Sequence, residues 1–297
     1  MRLDQAGRIM LGDREVSRVY LGANMVWQKF SPASLFAQGE QGAWYDPSDF
    51  STLFQDSAGT VPVTAVGQPV GLMLDKSKGL ALGPELLPSL NFNLWTARSG
   101  GTNTVLSKNS FSVTTEGGRS IAFVVRVGMC YEITFQATSS GPVASFHNST
   151  NVGTNRRATV DGSLQTVRFV AVTADIGFRL ASAGTLTVDN ISVRELLGSH
   201  ASQPTATARP IYRASPARID FDTVDDVLVT TFPASLGSSC TVARAVPGVG
   251  AQILTGQTVG TTFSDTTDHA GLVIINRALT PSETTALTAY LTAKVAA

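Results

Sequence analysis

Side chains able to do chemistry are few in this sequence, and they are scattered. Asp265, Asp268 and His269 fall close together in Phe263-Ser264-Asp265-Thr266-Thr267-Asp268-His269. That spacing could furnish an acid/base group or metal ligands. A polar loop ahead of the apolar run Leu272-Val273-Ile274-Ile275 accounts for the same residues without chemistry, and that reading is adopted. Asp225 and Asp226 are adjacent, as at a turn running into a strand rather than in a catalytic pair. The histidines, His147, His200 and His269, lie far apart, and none has a partner at metal-ligand spacing. Cys130 and Cys240 are the only cysteines; one sits in a strand-like run and the other in a Ser-rich turn, so both read as unpaired thiols. There is no GxSxG, HExxH, CxxC pair or phosphate-binding glycine loop, and no carboxylate pair in a recognisable cleft motif. A non-enzymatic role is therefore expected.

Such side chains need a scaffold, and composition narrows its kind. A chain of 297 residues exceeds the usual single domain, so two domains with small additions are expected. Lys+Arg 22 balances Asp+Glu 22, which leaves no electrostatic footprint for nucleic acid or an anionic membrane. Charged residues make up 15%, and Ser, Thr, Gly, Ala and Val crowd the sequence, as in β-sandwiches and in parts packed within assemblies. No run of about 18 apolar residues suggests a membrane-spanning helix. Met1-Arg2-Leu3-Asp4-Gln5 lacks the apolar segment of a secretion signal.

Strand-like alternation dominates the middle of the chain, in Ile121 to Val127, Tyr131-Glu132-Ile133-Thr134-Phe135 and Gln165 to Val172. The N-terminus contains an internal echo, Leu11-Gly12-Asp13-Arg14-Glu15-Val16 followed by Leu21-Gly22-Ala23-Asn24-Met25-Val26. Its short apolar pieces, turned at each glycine, predict a three-stranded meander too small to be stable alone. After Val242 the runs supply few strands, so a reduced sandwich is expected there. One helix is predicted at the C-terminus: Thr280, Pro281 and Glu283 form an N-cap, a first-turn proline and a capping box. Leu279, Leu287, Tyr290 and Leu291 share one of its faces.

Three stretches carry family resemblances. Glu85-Leu86-Leu87-Pro88-Ser89-Leu90-Asn91-Phe92 through Trp95, the central Tyr131-Glu132-Ile133-Thr134-Phe135-Gln136-Ala137 and the closing Leu186-Thr187-Val188-Asp189-Asn190-Ile191-Ser192-Val193-Arg194-Glu195 resemble a carbohydrate-binding-module jelly roll of the galactose-binding type. Gln41-Gly42-Ala43-Trp44-Tyr45-Asp46-Pro47 and Leu74-Asp75-Lys76-Ser77 resemble the opening of a phage virion module with a concanavalin-A-like (LamG-like) lectin sandwich. That module's continuation resembles Ser199-His200-Ala201-Ser202-Gln203 and Arg209-Pro210, then Phe221-Asp222-Thr223-Val224-Asp225-Asp226 and Asn276-Arg277-Ala278-Leu279-Thr280. The segment around Leu11 to Trp27 resembles the attachment piece that opens many phage tail and virion proteins.

These resemblances imply an all-β chain with a single C-terminal helix. Residues 1–30 would be an N-terminal attachment meander, and 31–83 and 198–297 two halves of a split lectin-like sandwich. Residues 84–197 would be an inserted jelly roll, held by paired stalks at Lys76–Gly83 and Leu197–Pro204. In carbohydrate-binding jelly rolls, aromatic faces and amide or charged groups grip the apolar face and polar rim of a sugar. The corresponding candidates are Trp95, Phe146, His147, Asn148, Asn151, Asn155 and Arg156, with Trp95 also reading as core. Asp189 would hold a structural Ca²⁺ if oxygen ligands came from elsewhere, or would simply cap a turn. Val19, Tyr20, Leu21, Val26 and Trp27 would form an assembly interface. The implied protein is a virion component, made in the host cytoplasm and carried in a tail-tip, fibre or spike as a homotrimer. Its partners would be other virion proteins and host-surface polysaccharide. An architectural adaptor or decoration protein without glycan binding is the alternative. A glycan-cleaving enzyme would need carboxylates about 5–10 Å apart, which no motif supplies.

Overall fold

The computed structural model describes residues 2–3, 9–11, 13–16, 18–87, 95–98, 102–107, 110–114, 119–122, 125–140, 144–147, 156–180 and 185–296. Strands dominate among the described residues, whose one α-helix spans Pro281–Val295.

The strand Leu272–Ile275 is apolar at every position because both of its faces are covered. Leu272 and Ile274 enter one core with Tyr45, Met73, Ala201, Leu228 and Val242. Val273 and Ile275 point the other way, into a second core with Trp44, Ala243, Leu287 and Leu291. The strand pairs with Gly237–Val246 on one edge and Gly42–Tyr45 on the other, with Leu272 opposite Tyr45. Gly250–Val259 completes this four-stranded sheet. The facing five-stranded sheet runs Thr262–Asp265, Leu228–Thr231, Ala201–Ser202, Leu72–Met73, Leu53–Phe54, with Ala201 opposite Met73. In both sheets, strands from residues 42–73 thus pair edge to edge with strands from residues 201–275. The reduced sandwich expected after Val242 is corrected by two strands of ten residues, Gly237–Val246 and Gly250–Val259. The second is mostly solvent-facing and rich in Gly, Gln and Thr, so its apolar signal is weak.

The helix starts as its sequence demands: Thr280 and Glu283 form a reciprocal capping box, with Pro281 in the first turn. Leu287 and Leu291 are fully buried, while Leu279 and Tyr290 pack at the margin. Arg277 donates to both Glu283 carboxylate oxygens, at 2.9 and 2.8 Å, and to Glu40 at 3.2 Å. Those two bonds from Arg277 hold Glu283 down to about 2, against a partial burial.

Residues between these host strands build a separate two-sheet unit. Its five-stranded sheet runs Trp95–Arg98, Arg119–Ala122, Ile176–Leu180, Ala144–His147, Arg156–Thr159. The other sheet runs Thr102–Ser107, Ser110–Thr114, Thr185–Leu196, Cys130–Ser139, Leu164–Val170, and Leu82–Glu85 pairs with Thr185–Leu196 off that path. Alternation in Cys130–Ser139 sends Tyr131, Ile133, Phe135 and Ala137 into a core with Phe146, Phe169, Phe178 and Val193.

Where the chain leaves the host sandwich and returns to it, Asp75 is fully buried. Its carboxylate accepts from Trp44 N (2.8 Å), Ser77 N (2.7 Å), Ser77 Oγ (2.8 Å) and Ser199 N (2.8 Å). Burial pushes the Asp75 carboxyl up to about 6, with the donors pulling the other way. Gly198 has φ +140, and a Cβ there would stand 2.8 Å from Asp75 Oδ2, so no side chain fits. The Asp75 amide donates to His200 Nδ1 (3.0 Å), and burial pushes that imidazole down to about 4. Leu72, Leu74, Cys130 and Leu196 form an apolar cluster across the junction. A cleft of ≈ 570 Å³ lies alongside, where Arg126 pairs with Glu195 at 2.7 Å and Lys78 donates to Glu40 O.

The three-stranded N-terminal meander is corrected. Arg2–Leu3, Ile9–Leu11 and Arg14–Glu15 form one small sheet, and Arg18–Leu21 with Asn24–Gln28 form a separate hairpin. The two LGxxxV echoes mark different sheets, because the hairpin turns at Gly22 (φ +61) and pairs Leu21 directly with Asn24.

Asp75→Ala would strand buried donors at Trp44, Ser77 and Ser199, each costing about 1–3 kcal/mol, so a loss of about 3 kcal/mol or more is expected in urea unfolding of the sandwich. A loss under about 1 kcal/mol would show that the carboxylate does not organise the junction. Glu283 has a folded value below its ordinary 4.5, so its contribution is present above that pH and fades as pH falls toward about 2. The gap in melting temperature between wild type and Glu283→Gln is therefore expected to close across that interval; a gap independent of pH would refute the assignment.

Candidate functional site

Side-chain alternation in the five-stranded sheet of the inserted unit separates a core face from an outer face. Phe146 and Phe178, directly opposite each other, point into the core with Ile176 and Leu180. Ser145, His147, Gly177 and Arg179 consequently take the outer side, with Ser145 opposite Arg179 and His147 opposite Gly177. Asp175, just before the strand, continues the same alternation. The strand Ile176–Leu180 is the central one, so Gly177 leaves a place without a side chain in the middle of the face. Ser145 Oγ and His147 Nε2 are 2.7 Å apart. Arg179 Nε and Asp175 Oδ2 are buried and have no hydrogen-bond partner among the described residues. Hydroxyl, imidazole, carboxylate and guanidinium groups thus converge on one sheet face, a set that can both donate to and accept from a polyhydroxylated ligand.

The structure distributes the sequence-predicted residues unevenly. Phe146 is corrected: it is fully buried among Phe135, Phe169 and Phe178, with ring centroids 5.0 to 5.7 Å apart within this group, and offers no face to a sugar. His147 is corrected from an exposed loop residue to a buried residue of the strand Ala144–His147, at 3% exposure. Trp95 and Arg156 lie at the starts of the strands Trp95–Arg98 and Arg156–Thr159, at opposite edges of the sheet. Asn148, Asn151 and Asn155 lie outside the described residues. Ser145, Asp175, Gly177 and Arg179 were missed, although the alternation in Asp175-Ile176-Gly177-Phe178-Arg179-Leu180 carried the signal.

Asp189 is exposed on the strand Thr185–Leu196, opposite Gln136, with Asn190 beside it at φ +51. It is not brought together with other acidic groups among the described residues. The one trio of possible metal ligands found among them is Asp222, Asp225 and Asp226. There Asp222 Oδ1 accepts from the amides of Val224, Asp225 and Asp226, which is a turn closed by its own first side chain. Asp265 is buried, with Arg244 Nη2 at 3.0 Å from Oδ1 and His269 Nε2 at 2.8 Å from Oδ2. Burial opposes ionisation, but His269 and Arg244 outweigh it and hold the Asp265 carboxyl below the usual range. His269 is fully buried and its backbone pairs with Ile219, so this trio braces the sandwich rather than presenting a group to solvent. Asp268 caps the same corner by accepting from Phe221 N at 2.7 Å. Both cysteines are buried and unpaired.

In the N-terminal hairpin, Tyr20 and Leu21 are 53% and 75% exposed and Val19 is half-buried, while Val26 and Trp27 lie in the pairing strand.

The chain matches no protein-family model and no curated protein. Among solved structures it is similar to the N-terminal cellulose-binding domain of Cellulomonas fimi β-1,4-glucanase C, at 19% identity over 39% of this chain and 97% of that one, with a TM-score of 0.28. It is also similar to a mutant of a carbohydrate binding module family 29, at 12% identity over 38% and 90% of the two chains (TM-score 0.28). The adhesin domain of Epf from Streptococcus pyogenes covers more of this chain, 77% against 86% of its own, at 8% identity and a TM-score of 0.25.

The two faces of the sheet should answer differently to mutation. Phe146→Ala is expected to cost about 3–5 kcal/mol in urea unfolding, and Arg179→Ala about 1 kcal/mol or less. Equal losses would overturn the assignment of Arg179 to the outer face.

Proposed function

We propose that this chain is a non-enzymatic structural protein of a bacteriophage-type virion that displays its inserted β-sandwich toward host-surface glycan. The supporting observation is the outer face around Gly177, where Ser145, His147, Asp175 and Arg179 collect beside a position without a side chain. Sugar hydroxyls donate and accept at once, and this face provides both kinds of partner. Attachment to a particle is supported by the N-terminal hairpin, whose Tyr20 and Leu21 expose apolar surface that a larger assembly would cover. Carriage in a tail-tip, fibre or spike as a homotrimer would add weak glycan contacts together. The protein would be made in the host cytoplasm and function on the virion.

A second reading is an architectural adaptor with no glycan ligand. The burial of Ser145 and His147, at 5% and 3% exposure, favours it, because little of their surface is open to a sugar.

A glycan array with the full-length chain separates the two. Binding that falls at least tenfold in Arg179→Ala, with no oligosaccharide released from the bound polysaccharide, is expected. Assembly into particles with no glycan bound would support the adaptor, and release of shortened chains would refute a non-enzymatic role.

A further inference from the structure

Strand register in the inserted unit gathers arginines on the sheet face that Arg179 occupies. Residues directly opposite one another on neighbouring strands share a face, so each row of paired residues crosses that face. Arg98 is opposite Arg119, and Arg119 is opposite Arg179. The same row continues through Ser145 to Thr159. Three consecutive positions of one row are therefore arginine. Adjacent strands lie about 4.8 Å apart, so these positions span about 10 Å. The next row on this side runs Thr96, Ile121, Gly177, His147 and, past a bulge, Arg156. It adds a fourth arginine position, and neither row holds an acidic residue.

Like charges set opposite one another cost a sheet stability, and this row places two such pairs side by side. An anion lying along the row offsets that cost, because guanidinium groups bind anionic oxygens in charge-assisted pairs. The described side chains point the same way. Arg179 is half-buried, and its buried Nε has no hydrogen-bond partner among the described residues. Asp175 sits four residues earlier on the same strand line, about 13 Å away along extended backbone, too far to pair with it. Asp175 is itself only 4% exposed, and its Oδ2 also lacks a partner. A ligand that brings negative charge to Arg179 and a donor to Asp175 relieves both unmet groups. Thr159, exposed at the far end of the row, adds a hydroxyl.

Two features choose among polyanions. Neither row contains Phe, Tyr or Trp, and Trp95 falls in the alternate set, in register with Ala122 and Ile176. The rows thus give no platform for a stacked nucleobase and none for the apolar face of a neutral sugar ring, which leaves charge and hydrogen bonds to do the recognising. The unmet Asp175 oxygen calls for a donor on the ligand. Sugar hydroxyls provide donors all along a polysaccharide, whereas a phosphodiester backbone offers acceptors.

Taking this face as the glycan-binding surface, we infer that its ligand is an acidic polysaccharide. Its anionic groups lie along the row of Arg98, Arg119 and Arg179, and its hydroxyls donate to Asp175. Carboxylate and sulfate ester groups share this chemistry.

Binding of the full-length chain to polygalacturonate and to dextran sulfate tests it, set against their uncharged counterparts, fully methyl-esterified polygalacturonate and dextran. At least one acidic polymer is expected to bind at least tenfold more tightly than its counterpart, with affinity that falls as salt rises; the polymer that binds identifies the anionic group. Arg119→Gln and Arg179→Gln are each expected to weaken that binding about tenfold while the melting temperature holds, and Arg179→Lys to bind more tightly than Arg179→Gln. Arg14→Gln, at an exposed position of the N-terminal sheet, should leave binding unchanged. Neutral polymer bound as tightly as acidic polymer would overturn the inference and leave the glycan reading standing, whereas no binding of any polymer would overturn both. Affinity retained in both glutamine variants, or lost equally in Arg14→Gln, would overturn the assignment to this row. Tighter binding of single-stranded DNA than of the acidic polymers would overturn the choice of a sugar.

Discussion

The buried carboxylate of Asp75 is the interaction on which the rest of this structure depends. An unmatched carboxylate in such a position would be prohibitive, so the backbone must bring donors to it. Those donors come from the strand Gly42–Tyr45, from the turn at Ser77 and from Ser199, far apart in sequence. Satisfying one side chain therefore fixes the outgoing and returning chain against a single strand. The lack of a side chain at Gly198 is part of the same requirement, since a Cβ there would stand 2.8 Å from Asp75 Oδ2. The neighbouring Tyr45 hydroxyl donates to Ser199 O and also meets Thr230 Oγ1, so the clasp extends into the facing sheet.

With that clasp in place, the inserted sandwich can be large without disturbing its host. The two units keep separate cores, one around Phe135, Phe146 and Phe178 and the other around Tyr45, Met73 and Ile274. Among the described residues, contact between them includes the cluster of Leu72, Leu74, Cys130 and Leu196, the pairing of Leu82 with Leu196, and bonds such as Val170 N to Ala58 O. A guest tethered in this way keeps a core of its own beside that of its host.

What could be read from the sequence was what local chemistry dictates. Thr280, Pro281 and Glu283 specify a helix start within four residues, and the structure realises every part of that capping box. Alternation through Tyr131, Ile133 and Phe135 marks a strand because one face is core and the other is not. Phe146 was misread for a related reason: a single aromatic between Ser145 and His147 looks like a polar loop, yet it is the inward position of a four-residue strand. The short strands near the N-terminus, two to five residues each, give too little periodicity to count or to assign to sheets. The strand Gly250–Val259 was obscured because a solvent-facing edge of a sheet need not be apolar.

Sites built from distant segments were less legible still. Trp44, Asp46, Tyr290 and Lys294 are unremarkable in sequence, and only the packing of the helix on the sheet makes neighbours of them. The same packing decides which of their polar groups are consumed. Asp46 and Lys294 neutralise each other and draw in the Tyr290 hydroxyl, so the helix is anchored by charge as well as by Leu287 and Leu291.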